Sequence, residues 1–281
     1  MIRDAGNAQG LVRHRSSRGF GRVWARAALE RGDSVVATAR SVDAVADLVA
    51  DYPDRALALP LDVTDRGAVI EAVRAGHEHF GRLDVIVNNA GFGLFAAVEE
   101  TTEAQARAQL GTNLLGPLWV VQATLPYLRA QGSGHILQVS SLSGVATFPL
   151  LGLYQASKWA LEGLSETLAG EVAGFGIKVT LLEPGAFRTE WAGVSADHAE
   201  EMPAYDGRPG EHRRARELVP PRPARGDDRV AVRDRRLRRA AVARAPRTKC
   251  HPAGEGRVRI PAGDLDDVGV AGIHGRRRRL T

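Results

Sequence analysis

Leu83-Asp-Val-Ile-Val-Asn88, followed at once by Asn89-Ala90-Gly91, is the stretch that decides the fold. The run is near-continuously apolar, as a strand buried on both faces must be. Strands of that kind belong to parallel sheets covered by helices. It ends in small and polar residues, where a backbone can come close to a ligand, although alone this is also an ordinary Asn-rich turn.

Outward from this strand the pattern repeats. Ser34–Ala39, Ala56–Leu61, His135–Ser140 and Ile177–Leu182 are further short β-rich runs. Between them lie amphipathic stretches at helical period: Gly21–Arg31, Val42–Asp51, Asp65–Phe80, Thr102–Arg129 and Tyr154–Phe175. Thr64-Asp65 is placed to cap the third of these, and Gly32 and Gly176 to end helices in the left-handed region. Strands alternating with helices of this length predict βαβ units. The fold class is therefore α/β, a Rossmann-like, doubly wound parallel sheet in a three-layer α/β/α arrangement. Such sheets bind ligands beyond the carboxyl ends of their strands.

The chain of 281 residues divides at about residue 206. Residues 207–281 hold 21 of the 38 Lys and Arg and 9 of the 33 Asp and Glu, a net of +12, leaving −7 on residues 1–206. The segment has no Phe, Trp or Tyr and no sustained apolar period. Such composition cannot bury enough surface to offset ordering entropy. Residues 1–206 are thus read as a single dinucleotide-binding and catalytic domain, and 207–281 as an irregular basic Arg/Pro-rich tail. Basic charge invites nucleic acid, but a tail without aromatics offers no base stacking and no known module. Nucleic acid is therefore not an expected partner. The single cysteine, Cys250, excludes an internal disulfide and fits a reducing compartment. With no signal-peptide pattern and no run long enough to span a membrane, the expected location is cytoplasmic. No metal-ligand cluster is read in the chain.

Ser141, Tyr154 and Lys158 stand 13 and 4 residues apart. Tyr154 and Lys158 fall one turn apart on a helix and share a face. An ammonium beside a phenol favours the phenolate, which predicts a lowered Tyr154 pKa and a general acid/base role. Ser141, at a strand end, is placed to hydrogen-bond a substrate oxygen where charge develops. A bare Tyr-x-x-x-Lys is common by chance; its neighbours give it meaning. Asp62-Val63 ends one strand, Asn113 interrupts a helical pattern despite poor propensity, and Pro184-Gly-Ala-Phe-Arg-Thr189 follows the last strand.

From Gly19 to about Tyr205 the chain resembles the short-chain dehydrogenase/reductase family. Asn88–Gly91, Asn113, Ser141, Tyr154-Gln-Ala-Ser-Lys158, Pro184-Gly185 and Thr189 fall in the family's order and spacing. The resemblance implies an oxidoreductase that moves hydride between a nicotinamide dinucleotide and an alcohol or ketone. It implies that Tyr154 transfers the proton, Lys158 lowers its pKa and binds the nicotinamide ribose, and Ser141 orients the carbonyl or alcohol. Asn113 would support a water-linked relay to Lys158. Asp62 and Val63 would lie against the adenine, Asn89, Ala90 and Gly91 would floor the site, and Pro184, Gly185 and Thr189 would hold the nicotinamide end. It further implies a homodimer or homotetramer through the long helices.

Where an acidic residue would accept from a ribose 2′-hydroxyl, this chain has Ala39-Arg40, and Arg18 precedes Gly19. Two guanidiniums suit a 2′-phosphate, so NADP(H) is expected over NAD(H). Gly93–Ala97 and Phe148–Gly152 set apolar groups near the expected pocket, which points to a hydrophobic substrate.

The chain departs from the family at its glycine-rich turn. His14-Arg-Ser-Ser-Arg-Gly-Phe-Gly21 keeps Gly19 and Gly21 but has Arg15 for the first glycine, and Ala8–Arg13 makes a poor central strand. Reading the codons of Ala8–Arg15 one nucleotide later permits Arg-Lys-Val-Trp-Phe-Val-Thr-Gly. The same displacement after Asp206 restores a helical, aromatic-bearing pattern. Two frame displacements are therefore inferred, near residues 8–16 and after about 206. If Arg15 is truly encoded, a catalytically inactive nucleotide-binding or regulatory protein of the same fold is the alternative reading.

Overall fold

The computed structural model describes residues 10–13, 19–184 and 196–206. Six strands form one parallel sheet in the order β3-β2-β1-β4-β6-β7. They are β1 (Gly10–Arg13), β2 (Ser34–Ala39), β3 (Ala56–Pro60), β4 (Val85–Asn88), β6 (Gly134–Val139) and β7 (Ile177–Leu182). Chain order reverses between β1 and β4, which is the switch point where a doubly wound sheet opens a crevice.

β1 is the weakest strand by sequence and sits in the middle. Its backbone pairs with β2 (Val12↔Val36) and with β4 (Val12↔Ile86). The expected strand at Ala8–Arg13 forms over its last four residues. Two flanking ladders supply hydrogen bonds on both sides, which outweighs poor side-chain propensity.

The helices are α1 (Gly19–Arg31), α2 (Ala46–Asp51), α3 (Arg66–Phe80), α4 (Glu103–Leu110), α5 (Gly116–Gln131), α6 (Gly152–Val172) and the short α7 (Pro203–Asp206). They lie on both faces of the sheet. Against one face Val69 and Val73 of α3, Val120 and Leu128 of α5 and Leu168 of α6 pack on Val36, Ile86, Ile136 and Val179. Against the other, Ala25, Ala28 and Leu29 of α1 and Leu48 of α2 pack on Val35, Ala37 and Ala39. Successive residues of β2 thus enter opposite cores, as a two-sided strand requires.

Most expected boundaries are met. Asp65 caps α3 by accepting from the Ala68 N–H at 3.0 Å, and Gly32 and Gly176 both take positive φ. Three differences stand out. The helix expected over Val42–Asp51 opens as a 3-10 turn, Val42–Val45, before α2 begins. The single helix expected over Thr102–Arg129 is broken by a π-turn at Gly111–Leu115, between α4 and α5. Finally, β5 (Leu94–Phe95) pairs with β8 (Asp197–His198) as a separate two-stranded ribbon, too short to leave a period in the sequence. The tail from residue 207 and the turn at 14–18, with their expected irregularity and displaced frame, lie outside the described residues.

Candidate active site

The carboxyl ends of the strands share one rim, and the sequence-marked residues stand along it. Arg40 follows β2, Asp62 and Val63 follow β3, and Asn89–Gly91 follow β4. Ser141 follows β6 and Pro184 follows β7. The last two connections are tied together: the Ser140 N–H donates to the Leu182 carbonyl at 2.7 Å and the Leu142 N–H to the Pro184 carbonyl at 2.9 Å.

α6 enters this rim with Tyr154 and Lys158 on its inner face, 4% and 5% exposed. Burial pushes the Tyr154 phenol up to about 12, and its hydrogen bond with Ser141 opposes that rise only in part. Burial also pushes the Lys158 ammonium down to about 8, against the pull of Glu162. The Lys158 Nζ donates to the Val139 carbonyl at 2.8 Å and lies 5.9 Å from the Tyr154 ring centroid. The expected lowering of the tyrosine pKa is therefore not what this arrangement produces. Desolvation of the phenolate dominates, while the lysine's head donates to the carbonyl at the end of β6. At neutral pH the Tyr154 phenol is protonated, hydrogen-bonded with Ser141, and has the Lys158 Nζ 5.9 Å from its ring centroid.

Asn113 sits in the π-turn, fully buried. Its Oδ1 accepts from the Phe92 N–H at 3.1 Å, and its Nδ2 donates to the Phe92 carbonyl at 3.0 Å and to the Ser157 Oγ at 3.1 Å. One amide thus clamps the loop after β4 to the helix that carries Tyr154. The Gly116 N–H reaches back five residues to the Gly111 carbonyl. This wider turn is what a π-bulge looks like, and such bulges gather at functional sites. The Gln109 Nε2 also donates to the Phe92 carbonyl at 3.0 Å. Neither Gln109 nor Ser157 was singled out by sequence; both are polar residues on buried helix faces, a weak signal that only packing makes specific.

The floor fits a dinucleotide. A Cβ on Gly91 would come within 3.2 Å of the Asn113 Oδ1 and 3.6 Å of the Lys158 Nζ, so only a glycine leaves this cradle open. A Cβ on Gly116 would meet Val63 at 2.8 Å, and that close approach seats Val63 under the rim. The Asp62 Oδ1 accepts from the Thr64 N–H at 2.9 Å and from its hydroxyl at 2.7 Å. Those bonds hold the Asp62 carboxyl below its ordinary range, with a smaller push from Arg40. Gly19 has φ of 56° at the start of α1, and Gly21 is buried there. Arg18, Gly185 and Thr189 lie outside the described residues. Near Tyr154 the wall is apolar: Phe95 and Leu151 pack against its ring. Leu150 holds a positive φ of 65°, and its carbonyl accepts from the Ala96 N–H at 2.8 Å.

Among the described residues no helix is long and apolar enough to cross a membrane.

The sequence model of the short chain dehydrogenase family matches residues 16–200. Oxidoreductase BOA17 of Botryotinia fuckeliana is 52% identical over 181 residues, which is 64% of this chain and 66% of that protein. The chain spans a little under two thirds of the length of that relative and of an uncharacterized oxidoreductase of Schizosaccharomyces pombe that is 35% identical over 193 residues. A short-chain dehydrogenase structure from Streptomyces avermitilis superposes with a TM-score of 0.76 at 39% identity, covering 93% of this chain and 92% of that one. A structure of ElxO with NADP bound superposes at 0.63 with 30% identity, over 66% of this chain and 76% of that one.

Proposed function

The chain belongs to the short-chain dehydrogenase family, and from that premise we propose that it is an NADP(H)-dependent oxidoreductase that reduces an apolar carbonyl compound to an alcohol. The observation that carries this reading is the burial of Tyr154 and Lys158 together on α6, with Tyr154 hydrogen-bonded to Ser141 and kept protonated at neutral pH. A protonated phenol is suited to give its proton to a developing alkoxide. Ser141 orients the carbonyl oxygen, and its hydroxyl accepts from the Ser143 N–H at 3.1 Å, which fixes its rotamer. Lys158 binds the nicotinamide ribose and is the positive charge behind the phenol. Asn113 holds the floor to α6 and belongs to the relay that refills the proton on Tyr154. A bound nicotinamide supplies the hydride; the chain supplies position and field.

Asp62 and Val63 hold the adenine, Gly19, Gly21, Asn89, Ala90 and Gly91 line the dinucleotide's path, and Pro184, Gly185 and Thr189 meet the nicotinamide. Arg40 and Arg18 take the 2′-phosphate, a choice supported by the NADP-bound neighbour. Phe95, Leu150 and Leu151 support an apolar substrate. The working form is a cytoplasmic homodimer or homotetramer joined through α5 and α6, beside which Leu115 and Trp159 are exposed. Residues 1–206 are the catalytic unit, and 207–281 are a displaced reading frame or a basic tail.

The test is NADPH oxidation over a panel of apolar ketones and aldehydes. Tyr154→Phe is expected to lower kcat about 10²- to 10⁴-fold while NADPH binding, read by cofactor fluorescence, persists. Unchanged turnover in Tyr154→Phe would overturn the reading. Arg15 favours a second reading, a nucleotide-binding protein without turnover. NADPH binding with no oxidation of any carbonyl would select it, and no binding at all would count against both.

A further inference from the structure

We propose that Glu162 is a positioning residue for Lys158, its carboxylate one turn along α6 favouring the charged ammonium behind Tyr154. The proposal rests on the role given above to Lys158.

Tyr154, Lys158 and Glu162 stand at intervals of four on α6 and share one face. All three are buried, at 4%, 5% and 5% exposure. Three successive residues at the end of β6 face them. Ser141 bonds the Tyr154 phenol, the Val139 carbonyl accepts from the Lys158 Nζ at 2.8 Å, and Gly144 lies beside both Ser140 and Glu162. A Cβ at Gly144 would fall 2.6 Å from the Ser140 Oγ, 3.0 Å from the Glu162 Oε1 and 3.1 Å from its Cγ. The absence of a side chain at 144 is thus what lets the turn Leu142–Gly144 close over the carboxylate. The face has three rungs, of which the first two belong to the proposed chemistry, and the third is a buried carboxyl group.

A buried ammonium with only a carbonyl for company tends to shed its proton. A carboxylate one turn away opposes that loss, and the Lys158 value near 8 already contains its help. Among the described residues the other groups around this face are as follows. Ser140, Ser141 and Ser143 after β6, Asn113 in the π-turn and Phe95 of β5 are uncharged. On α4 Glu103 and Arg107 bond each other at 2.7 Å on an exposed surface. On β7 Lys178 is exposed, and Glu183 follows that strand. On α6 itself Glu166 lies a further turn away and is half-buried.

The chain has three lysines, Lys158, Lys178 and Lys249, against 35 arginines. The full-length protein labelled with ¹³C at lysine Cε therefore gives three signals, and the Lys158→Arg variant identifies one of them. Titrated by NMR, Lys158 is expected to have its midpoint near 8 in the unaltered chain. Glu162→Gln is expected to lower that midpoint by about one unit or more. The sign follows from removing an anion that favours the charged form. Lys178 serves as the internal reference, and Glu166→Gln is expected to leave Lys158 within a few tenths of a unit. If Glu162→Gln does not fold, Glu162→Asp draws the charge back by one methylene and is expected to lower the midpoint by less. A Lys158 midpoint unmoved in the folded variant overturns the proposal. The readout needs no turnover, so a chain that reduces nothing still reports on Glu162.

Discussion

Arg40 is the residue on which the proposed preference for NADP(H) over NAD(H) rests. It stands exposed one position past β2, and its charge reaches Asp62 across the rim, where it helps keep that carboxylate ionised. The Asp62 Oδ1 is engaged by both the backbone and the hydroxyl of Thr64, so Arg40 is available to a phosphate. A guanidinium there would attract a 2′-phosphate and make parallel hydrogen bonds to it; a carboxylate would repel the phosphate and accept from a ribose hydroxyl instead. Arg40→Asp is expected to shift the ratio of kcat/KM for NADPH over NADH by about 10- to 10³-fold toward NADH. Fluorescence titration with each cofactor is expected to move the same way. An unchanged ratio would sink the assignment. At this scale the sequence is most informative where chemistry depends on spacing: Ser141, Tyr154 and Lys158 meet because 13 and 4 residues bring a strand end and one helix face together. It is least informative about protonation. The Tyr154 phenol rises toward 12 because of burial by Phe95, Leu151 and the turn after β6, and burial is a property of the packed chain.

At the scale of elements, two helix ends lock against each other. α5 ends at Gly132 and the 3-10 turn after α6 ends at Gly176, both in the left-handed region, with φ of 65° and 71°. A Cβ on Gly176 would run into the Gly132 carbonyl oxygen. The two caps abut at the start of β6 and β7, whose register begins at Gly134↔Ile177. Gly176→Ala therefore meets both a strained φ and a backbone clash. It is expected to cost about 2–4 kcal/mol, read from the urea midpoint. Gly163, inside α6 with open space around its Cα, is the control: Gly163→Ala is expected to stabilise by about 0.5–1 kcal/mol. Equal effects from the two substitutions would refute the steric account. Gly176 was readable as a helix end because a glycine closes an amphipathic run just before Ile177–Leu182. The π-turn was only half readable. Asn113 marks the interruption, but the clamp on Phe92 that rewards the wider turn comes from a loop some twenty residues earlier. The β5–β8 ribbon was not readable, since two-residue strands have no period and Asp197-His198 is polar.

For the whole molecule, charge and likeness divide the chain at nearly the same places. Residues 1–206 are net acidic and 207–281 strongly basic, while the stretch that matches the family runs from 16 to 200. It begins just past Ala8–Arg15 and ends just before the change at 206, the two places where a displaced frame is inferred from the sequence. The sheet tolerates the written sequence at β1, because Gly10–Arg13 needs only backbone to pair with β2 and β4. The turn that follows asks for more. A dinucleotide's pyrophosphate needs close approach of backbone N–H groups at the start of a helix. Gly19 and Gly21 remain for this at the start of α1, but the sequence has Arg15 at the first of the three glycine positions. Arg15 is thus the expected point of damage, and its effect should appear in binding before chemistry. The double variant His14→Thr/Arg15→Gly, which restores the displaced reading at that turn, is expected to bind NADPH about ten-fold tighter or better than the chain as written. Tyr154, Lys158 and Ser141 are untouched by it, so kcat at saturating cofactor should change less than affinity. Resequencing the coding DNA gives the independent check. An unambiguous in-frame read, joined to an intact mass matching all 281 residues, would exclude a sequencing error and leave a true mutation. An affinity that stays the same or weakens in the double variant would show that Arg15 is tolerated, and the case for a displaced frame at the turn would fail with it.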